Sequence, residues 1–127
     1  MAIESFASRS DPLTASRPRG AALITGAASG IGAAIAAKLA DDGWPVHVCD
    51  VNPDAIAQFA ESHPEIEAHV ADVRDPGAAD RVVSQVSEAD QGIGVLVNNA
   101  GVAGMTAPVE DIDLEDWRRT IDINING

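Results

Sequence analysis

The distribution of apolar residues constrains the fold of this chain most, because short apolar runs alternate with longer amphipathic stretches from residue 21 onward. This alternation is typical of β-strands and α-helices that follow one another along the chain. We expect strands at residues 21–25, 46–50, 66–70 and 94–97. Strands joined by crossover helices form a parallel sheet with helices on both faces. The sequence therefore predicts a doubly wound α/β fold.

Capping signals mark where the helices begin. Apolar residues recur at every fourth position over residues 31–39, which forms one face of a first helix. An Asn-Pro pair at 52–53 and an Asp-Pro pair at 75–76 each supply an N-cap side chain and a proline suited to the first turn. Asp113 has the same capping position before a fourth helix. We therefore expect a helix after each strand.

The two outer strands are expected to differ from the inner ones. Glu67 and His69 alternate with apolar neighbours, as on a half-exposed edge strand. A long loop is predicted from residue 98 to about 112, followed by a helix whose apolar face continues to Ile125. In a sheet built outward from the first strand, the fourth strand would then have an unpaired edge. We expect a sheet truncated after the fourth strand and the following helix.

Length and charge exclude several classes of function. The 127 residues suffice for one domain, and 20 acidic against 8 basic residues give a net charge of -12. Such a charge repels phosphate backbones, so we expect no nucleic-acid partner and no anionic membrane partner. The single cysteine, Cys49, cannot form an internal disulfide. A lone cysteine fits a reducing compartment, and we expect a cytoplasmic protein.

The first 20 residues differ in composition from the rest. They contain serines, arginines and prolines but lack the apolar core of a signal peptide. We predict a flexible tail at residues 1–20 and a domain at residues 21–127, with an organellar transit peptide as the alternative for the tail.

Two clusters invite a metal-site interpretation, and in both cases we prefer a structural one. Five acids near the fourth helix complement the dipole at a helix N-terminus, namely Glu110, Asp111, Asp113, Glu115 and Asp116. His47 and Cys49 lie two apart on one strand face, but two residues do not complete a metal site. We therefore predict no metal.

A glycine-rich segment between the first strand and the first helix carries the chemistry. It reads Thr-Gly-Ala-Ala-Ser-Gly-Ile-Gly over residues 25–32. A pyrophosphate needs close backbone approach and free amides at a helix N-terminus, which Gly26 and Gly30 allow, while Gly32 lets the helix approach the strand. Asp50 ends the second strand about twenty residues later, which is the context this fingerprint requires. A carboxylate there accepts ribose hydroxyls and repels a 2'-phosphate, so the predicted cofactor is NAD rather than NADP.

Three motifs together resemble the short-chain dehydrogenase/reductase family. They are the glycine segment at 25–32, Asp-Val at 72–73 and Asn-Asn-Ala-Gly at 98–101. Their spacing is that of the shorter-subunit branch of the family and not of its extended, epimerase-like branch. The resemblance covers residues 21–127 and implies the N-terminal, cofactor-binding half of a Rossmann-type enzyme.

The resemblance also implies residue roles. The cofactor-binding residues would be Thr25, Gly26, Ser29, Gly30, Ile31, Gly32, Asp50, Asp72, Val73, Asn98, Ala100 and Gly101. Within this set Asp50 would bind the adenine ribose, Asp72 and Val73 would face the adenine, and Asn98 would also hold the central sheet together. Asn124 matches the asparagine that joins the family's catalytic group and holds a proton-relay water. The implied reaction is hydride transfer between NAD and a secondary alcohol or ketone.

The chain departs from the family pattern in its catalytic residues. The family uses a serine and a Tyr-x-x-x-Lys motif beyond the asparagine helix, and this sequence contains no tyrosine. Its single lysine, Lys38, is expected to point away from the strand ends where the ligand lies. We therefore expect the chain to be inactive alone. The family also implies a homo-oligomer for the complete enzyme, but we expect no stable tetramer from this chain.

Three hypotheses remain at this point. The chain is the cofactor-binding portion of an NAD-dependent oxidoreductase, a non-catalytic dinucleotide-binding module, or a truncated remnant that does not fold because its fourth strand is uncovered. The sequence does not distinguish substrates within the alcohols and ketones.

Overall fold

The computed structural model describes residues 20–127, so the predicted tail lies outside the described residues except for Gly20. The strands are β1 (Ala21–Thr25), β2 (Val46–Asp50), β3 (Glu67–Val70) and β4 (Ile93–Val97). The helices are α1 (Gly30–Asp41), α2 (Pro53–Ser62), α3 (Pro76–Asp90) and α4 (Leu114–Ile121). The predicted order of strands and helices is confirmed, with strand ends that differ by one residue at most.

The four strands form one parallel sheet in the order β3-β2-β1-β4. The chain winds from β1 outward to β3 and then returns to the other side of β1, which is the predicted Rossmann-type arrangement. Within residues 20–127, β4 pairs with β1 alone, and its residues are alternately half-buried and exposed. The predicted uncovered edge at β4 is confirmed.

The hydrophobic core lies on both faces of β1. Ala22 and Ile24 pack on the face covered by α1 and α2, where Phe59 is also buried. Leu23 points to the opposite face and packs with Val86 of α3. Because alternate residues of a strand point to opposite faces, the continuous apolar run of β1 fills both layers of the core.

Side-chain caps begin three of the four α-helices. Asn52, Asp75 and Asp113 each accept backbone N–H bonds of 2.9–3.3 Å in the first turn of α2, α3 and α4. These caps were predicted from the sequence. Asp113 and Asp116 also show what two of the five clustered acids do, since Asp116 accepts a bond from the Met105 N–H at 2.6 Å.

Two local features near the C-terminus were not predicted. The predicted loop at 98–112 contains a 3-10 turn at Val109–Asp111, in which the Asp111 N–H donates to the Pro108 carbonyl at 2.9 Å. The predicted helix through Ile125 changes into a π-helical turn at Asp122–Asn126. Apolar periodicity does not distinguish such short tight or wide turns from their surroundings.

Candidate functional site

A cleft of about 440 Å³ opens at the carboxyl edge of the sheet. Eight of the predicted site residues line it, namely Gly26, Ser29, Ile31, Asp50, Asp72, Val73, Ala100 and Gly101. The cleft is also lined by residues that the sequence did not single out, namely Val51, Ala71, Arg74, Asn99, Val102, Arg119 and Ile123. In open α/β sheets, ligands bind at this edge, where the strand order reverses on either side of β1.

The three glycines of the motif do different things. Gly26 has a φ of +62°, and a Cβ there would lie 2.7 Å from the Ala100 Cα. A Cβ on Gly32 would lie 2.6 Å from the Asn99 Nδ2, so α1 approaches the end of β4 as closely as glycine allows. Gly30 has a φ of +59° but no neighbouring atom within 4 Å of its Cβ position. Gly26 and Gly32 therefore permit close packing. Gly30 lies between the cleft residues Ser29 and Ile31 and borders open space.

The N-terminus of α1 differs from those of the other α-helices. Its N-cap residue, Ser29, makes no side-chain capping bond, unlike the N-cap residues of α2, α3 and α4. The first backbone N–H groups of a helix have no partner within the helix, and its dipole favours an anion at that end. Ile31 in this turn is 75% exposed and faces the cleft. A helix end with free N–H groups can bind an anion such as a phosphate.

Asp50 lies beside that helix end, at the last position of β2. The Ala28 N–H donates to its Oδ2 at 3.3 Å and the Asn52 N–H donates to its Oδ1 at 3.1 Å. Both oxygens are thus oriented by backbone amides, and each keeps further acceptor capacity. The carboxylate is fixed at the place where the fingerprint requires a ribose acceptor.

Thr25 and Asn99 join the ends of β1 and β4 beneath the cleft. The Thr25 Oγ1 accepts N–H bonds from Asn99 at 3.1 Å and from Ala100 at 3.0 Å. The Asn99 Nδ2 donates to the carbonyls of Thr25 at 3.0 Å and Gly26 at 2.9 Å. The tie between strands that we predicted for Asn98 is therefore made by the side chain of Asn99. Asn98 lies outside the cleft and lines a neighbouring apolar cavity of about 200 Å³.

Asp72 is held by an arginine that the sequence analysis missed. The Arg74 Nη2 donates to Asp72 Oδ2 at 2.6 Å, its Nε lies 3.0 Å from Oδ1, and its backbone N–H donates to Oδ1 at 2.9 Å. These bonds hold the pKa of the Asp72 carboxyl below its ordinary value. The Asp-Val-Arg run was visible in the sequence, but the bidentate pair shows only in the folded chain.

Asn124 binds the loop that follows β4. Its Oδ1 accepts the Val102 N–H and its Nδ2 donates to the Val102 carbonyl, both at 2.8 Å. The residue lies in the π-helical turn, a conformation that is frequent at functional sites. Its side chain thereby fixes the wall of the cleft near Gly101. Like Asn98, it lines the apolar cavity rather than the cleft.

The remaining candidate residues lie away from the cleft. Cys49 is a buried residue of β2, and burial raises the pKa of its thiol to about 11, which disfavours the nucleophilic thiolate at neutral pH. Lys38 is exposed near the end of α1 and pairs with Asp42. His47 lies at the opposite, amino edge of the sheet.

The sheet order and the glycine-rich turn define a Rossmann-type α/β protein. A family model described as short chain dehydrogenase matches residues 20–127. The chain belongs to this family of oxidoreductases.

Relatives and solved structures agree with this membership. Sulfoacetaldehyde reductase 2 of Chromohalobacter salexigens is 41% identical over 108 residues, which are 83% of this chain and 43% of that protein. A structure of NAD+-bound xylitol dehydrogenase matches with a TM-score of 0.79 and 32% identity, covering 87% of this chain and 44% of the other. An actinorhodin polyketide ketoreductase variant with NADPH matches with a TM-score of 0.80 and 30% identity, with the same shares covered.

The chain thus spans less than half the length of these relatives. It corresponds to the N-terminal portion of a short-chain dehydrogenase. Within residues 20–127, no helix combines the length and apolar character needed to cross a membrane.

Proposed function

We propose that this chain is the NAD(H)-binding portion of an oxidoreductase that acts on a secondary alcohol or ketone. The observation that carries the proposal is the meeting of the uncapped N-terminus of α1 with the oriented Asp50 carboxylate in one cleft. A helix N-terminus suits the pyrophosphate, and a carboxylate suits the ribose hydroxyls. The open space at Gly30 leaves room for the phosphates to approach the backbone.

Three observations support NAD over NADP. The cleft presents the Asp50 carboxylate, which repels a 2'-phosphate. Arg74, one of the two arginines that line the cleft, is engaged by Asp72 in a bidentate pair rather than free to neutralise a phosphate. The glycine segment itself contains no base. Among the similar structures, one holds NAD+ and another NADPH, so the preference rests on the residues of this chain.

The other residues of the cleft have proposed roles in holding this cofactor. Ser29 and Ile31 would border the pyrophosphate and the nicotinamide side, and Asp72 with Val73 would face the adenine. Ala100 and Gly101 would border the cofactor from the β4 side. Thr25, Gly32 and Asn98 would act indirectly, by shaping the cleft or the strands beneath it.

The bound cofactor would supply the hydride acceptor, and the residues of this chain would bind and orient it. Asn124 is the proposed catalytic residue among the 127, holding the water of a proton relay in the complete site. A tyrosine acid is absent from the sequence, and the single amine, Lys38, pairs with Asp42. We therefore propose that the chain binds NAD(H) without turning over substrate by itself.

The proposal extends to the substrate, the partners and the cellular compartment of the complete enzyme. Its substrate is a small alcohol or ketone, and it forms a homo-oligomer. A net charge of -12 disfavours nucleic acid and anionic membranes as partners. The free, buried Cys49 is compatible with the reducing cytoplasm.

A non-catalytic dinucleotide-binding module is the second candidate. Such a module needs the cleft but no general acid, and the 127 residues contain no tyrosine. The two candidates predict the same binding but differ in whether a longer chain that carries this domain oxidises alcohols.

Calorimetric titration of the 127-residue chain with NADH and with NADPH tests the proposal. We expect sub-millimolar binding of NADH, and NADPH binding at least about ten-fold weaker. Asp50→Asn should weaken NADH binding about ten-fold, because a charged hydrogen-bond acceptor is lost. It should also reduce the preference for NADH over NADPH, because the charge that repels the 2'-phosphate is removed. The matched control, Asp54→Asn, changes an exposed acid of α2 and should leave both affinities unchanged. Absence of NADH binding, or equal NADPH affinity in the unaltered chain, would overturn the proposal.

A further inference from the structure

A buried histidine lies at the edge of the sheet opposite the cleft. His47 in β2 is 3% exposed, and among residues 20–127 it is the one polar side chain that is buried. Buried polar groups need hydrogen-bond partners, and both ring nitrogens of His47 have one. Its Nε2 lies 2.7 Å from the Asp90 Oδ2 and its Nδ1 lies 3.0 Å from the His69 Nε2.

These three side chains come from three different elements. His47 belongs to β2, His69 to β3, and Asp90 to the last turn of α3. They line one wall of an open cleft of about 530 Å³ at the amino edge of the sheet. The hydrogen bonds therefore fasten an edge strand and a helix end to a central strand.

The relative placement of the two imidazole rings limits where their hydrogens can lie. The two imidazole rings lie within 12° of parallel, with centroids 5.3 Å apart. This distance exceeds the 3.0 Å between the bonded nitrogens by about two ring radii, so the rings meet head to head in nearly one plane. The facing nitrogens thus share one hydrogen, and their lone pairs do not converge on a common metal position.

With both imidazoles neutral, one assignment of hydrogens satisfies all three groups. The Asp90 carboxylate accepts, so the His47 Nε2 carries a hydrogen and its Nδ1 is an acceptor. The His69 Nε2–H then donates to that Nδ1. Both imidazoles are neutral in this arrangement, and the Nδ1 of His69 is left for a further proton.

Other groups near the histidines modulate their charge. From β3, Glu67 favours a charged His69, and from α3 the side chain of Gln85 favours it as well. Glu65 lines the same cleft, and Cys49 of β2 is the cross-strand neighbour of His69. Burial and the neighbouring His47 outweigh these favourable groups and lower the pKa of His69 below its ordinary value of 6.5.

We infer that Asp90, His47 and His69 form an acid-sensitive clamp that fastens β3 and α3 to β2. A first added proton gives the pair three N–H groups and keeps one hydrogen between the facing nitrogens, so the bond between the rings survives and one charge lies on the half-buried pair. A second would have to enter on the Nδ1 of His47 and would place two N–H groups face to face, which breaks the bond between the rings. In the unfolded chain both histidines accept protons freely.

The direction of the pH effect follows from this difference. At this histidine pair the folded chain binds fewer protons than the unfolded chain, so the clamp contributes fully above the ordinary histidine pKa. Its contribution is lost as the pH falls through the lowered pKa of His69. The clamp does not depend on whether the opposite cleft binds NAD.

Thermal unfolding of the full chain from about pH 8 to about pH 5.5 tests the clamp, because histidines titrate in this range. We expect the midpoint temperature to fall by about 5 °C or more. His69→Gln, which keeps an N–H donor but cannot titrate, should reduce that fall by at least about half. His63→Gln, the same substitution at the end of α2, should show the fall of the unaltered chain. An equally steep fall in His69→Gln, or no fall in the unaltered chain, would refute the inference.

A long-range 1H–15N spectrum of the histidine rings gives an independent readout. At neutral pH we expect His47 and His69 both to carry their hydrogen on Nε2, and His69 to titrate below its ordinary pKa. A hydrogen on the Nδ1 of His47, or titration of His69 above the ordinary value, would contradict the clamp. A merely structural histidine would show neither the paired tautomers nor the lowered titration.

Discussion

Two helices begin directly after neighbouring strands of the same sheet, but they begin differently. At α2, the Asn52 side chain accepts the N–H groups of Asp54 and Ala55 at 3.0 and 3.1 Å, and Pro53 fills the first position. At α1, Ser29 makes no side-chain cap, and a glycine-rich turn with an exposed Ile31 leads into the helix. Both helix starts have the same dipole, and in both the first backbone N–H groups lack partners within the helix.

The difference shows where the chain leaves hydrogen-bonding capacity for a ligand. At α2, α3 and α4 the N-cap side chain accepts backbone N–H groups of the first turn. At α1 no side chain caps the first turn, and the carboxylate of the neighbouring Asp50 is oriented by backbone N–H groups. We expect substitutions at α1 to change cofactor binding and substitutions at α2 to change stability alone.

The largest effect is expected for Gly32→Ala in the first turn of α1. The added Cβ would lie 2.6–2.8 Å from atoms of Asn99, Gly26 and Ala27, two of which belong to the backbone. We expect a loss of about 3 kcal/mol in the free energy of unfolding, measured by urea denaturation. Gly77→Ala, in the first turn of α3, meets atoms at 3.4 Å or more and should stabilise the chain by about 0.5 kcal/mol. Similar results for the two variants would show that α1 is not closely packed at Gly32.

A cap installed at α1 should have the next largest effect. Ser29→Asp places a carboxylate where the amides are free, so it should stabilise the helix but compete with and repel a pyrophosphate. We expect NADH affinity to fall about 30-fold, or about 2 kcal/mol, in a calorimetric titration. Ser84→Asp adds the same charge on an exposed position of α3 and should leave the affinity unchanged. Unchanged affinity in Ser29→Asp would mean that the cofactor does not use this helix end.

The smallest effect is expected when the cap of α2 is removed. Asn52→Ala abolishes two hydrogen bonds and should lower the free energy of unfolding by about 1 kcal/mol. NADH affinity should stay within about two-fold, because the Asp50 carboxylate is oriented by the backbone N–H of residue 52, which the substitution keeps. A larger loss of affinity would show that both helix starts take part in binding.

The sequence was sufficient to predict most of the fold. The strands β1 and β2 are buried on both faces, so their sequences are largely apolar runs that predict strands. The capping residues Asn52, Asp75 and Asp113 predict where three helices begin. The 3-10 and π-helical turns near the C-terminus leave no comparable pattern. They depend on single hydrogen bonds such as that between Asp111 and Pro108.

The site was predictable where a motif carries it and not where distant residues meet. The glycine segment and Asp50 follow a known spacing, and the cleft brings most of that set together. Asn99 reaches across 73 positions to Gly26, and the roles of Asn98 and Asn99 could not be separated beforehand. His47 meets Asp90 across 43 positions and His69 across 22, so no local pattern indicates the clamp.

The most direct test of the binding account is an amide 1H–15N titration of the 127-residue chain with NADH. We predict that the amide signals of Gly30, Ile31 and Gly32 shift in a saturable manner, while those of Asp54 and Ala55 at the capped start of α2 move little. Shifts concentrated at the start of α2, or no saturable shift at α1 with NADH at millimolar concentration, would contradict it.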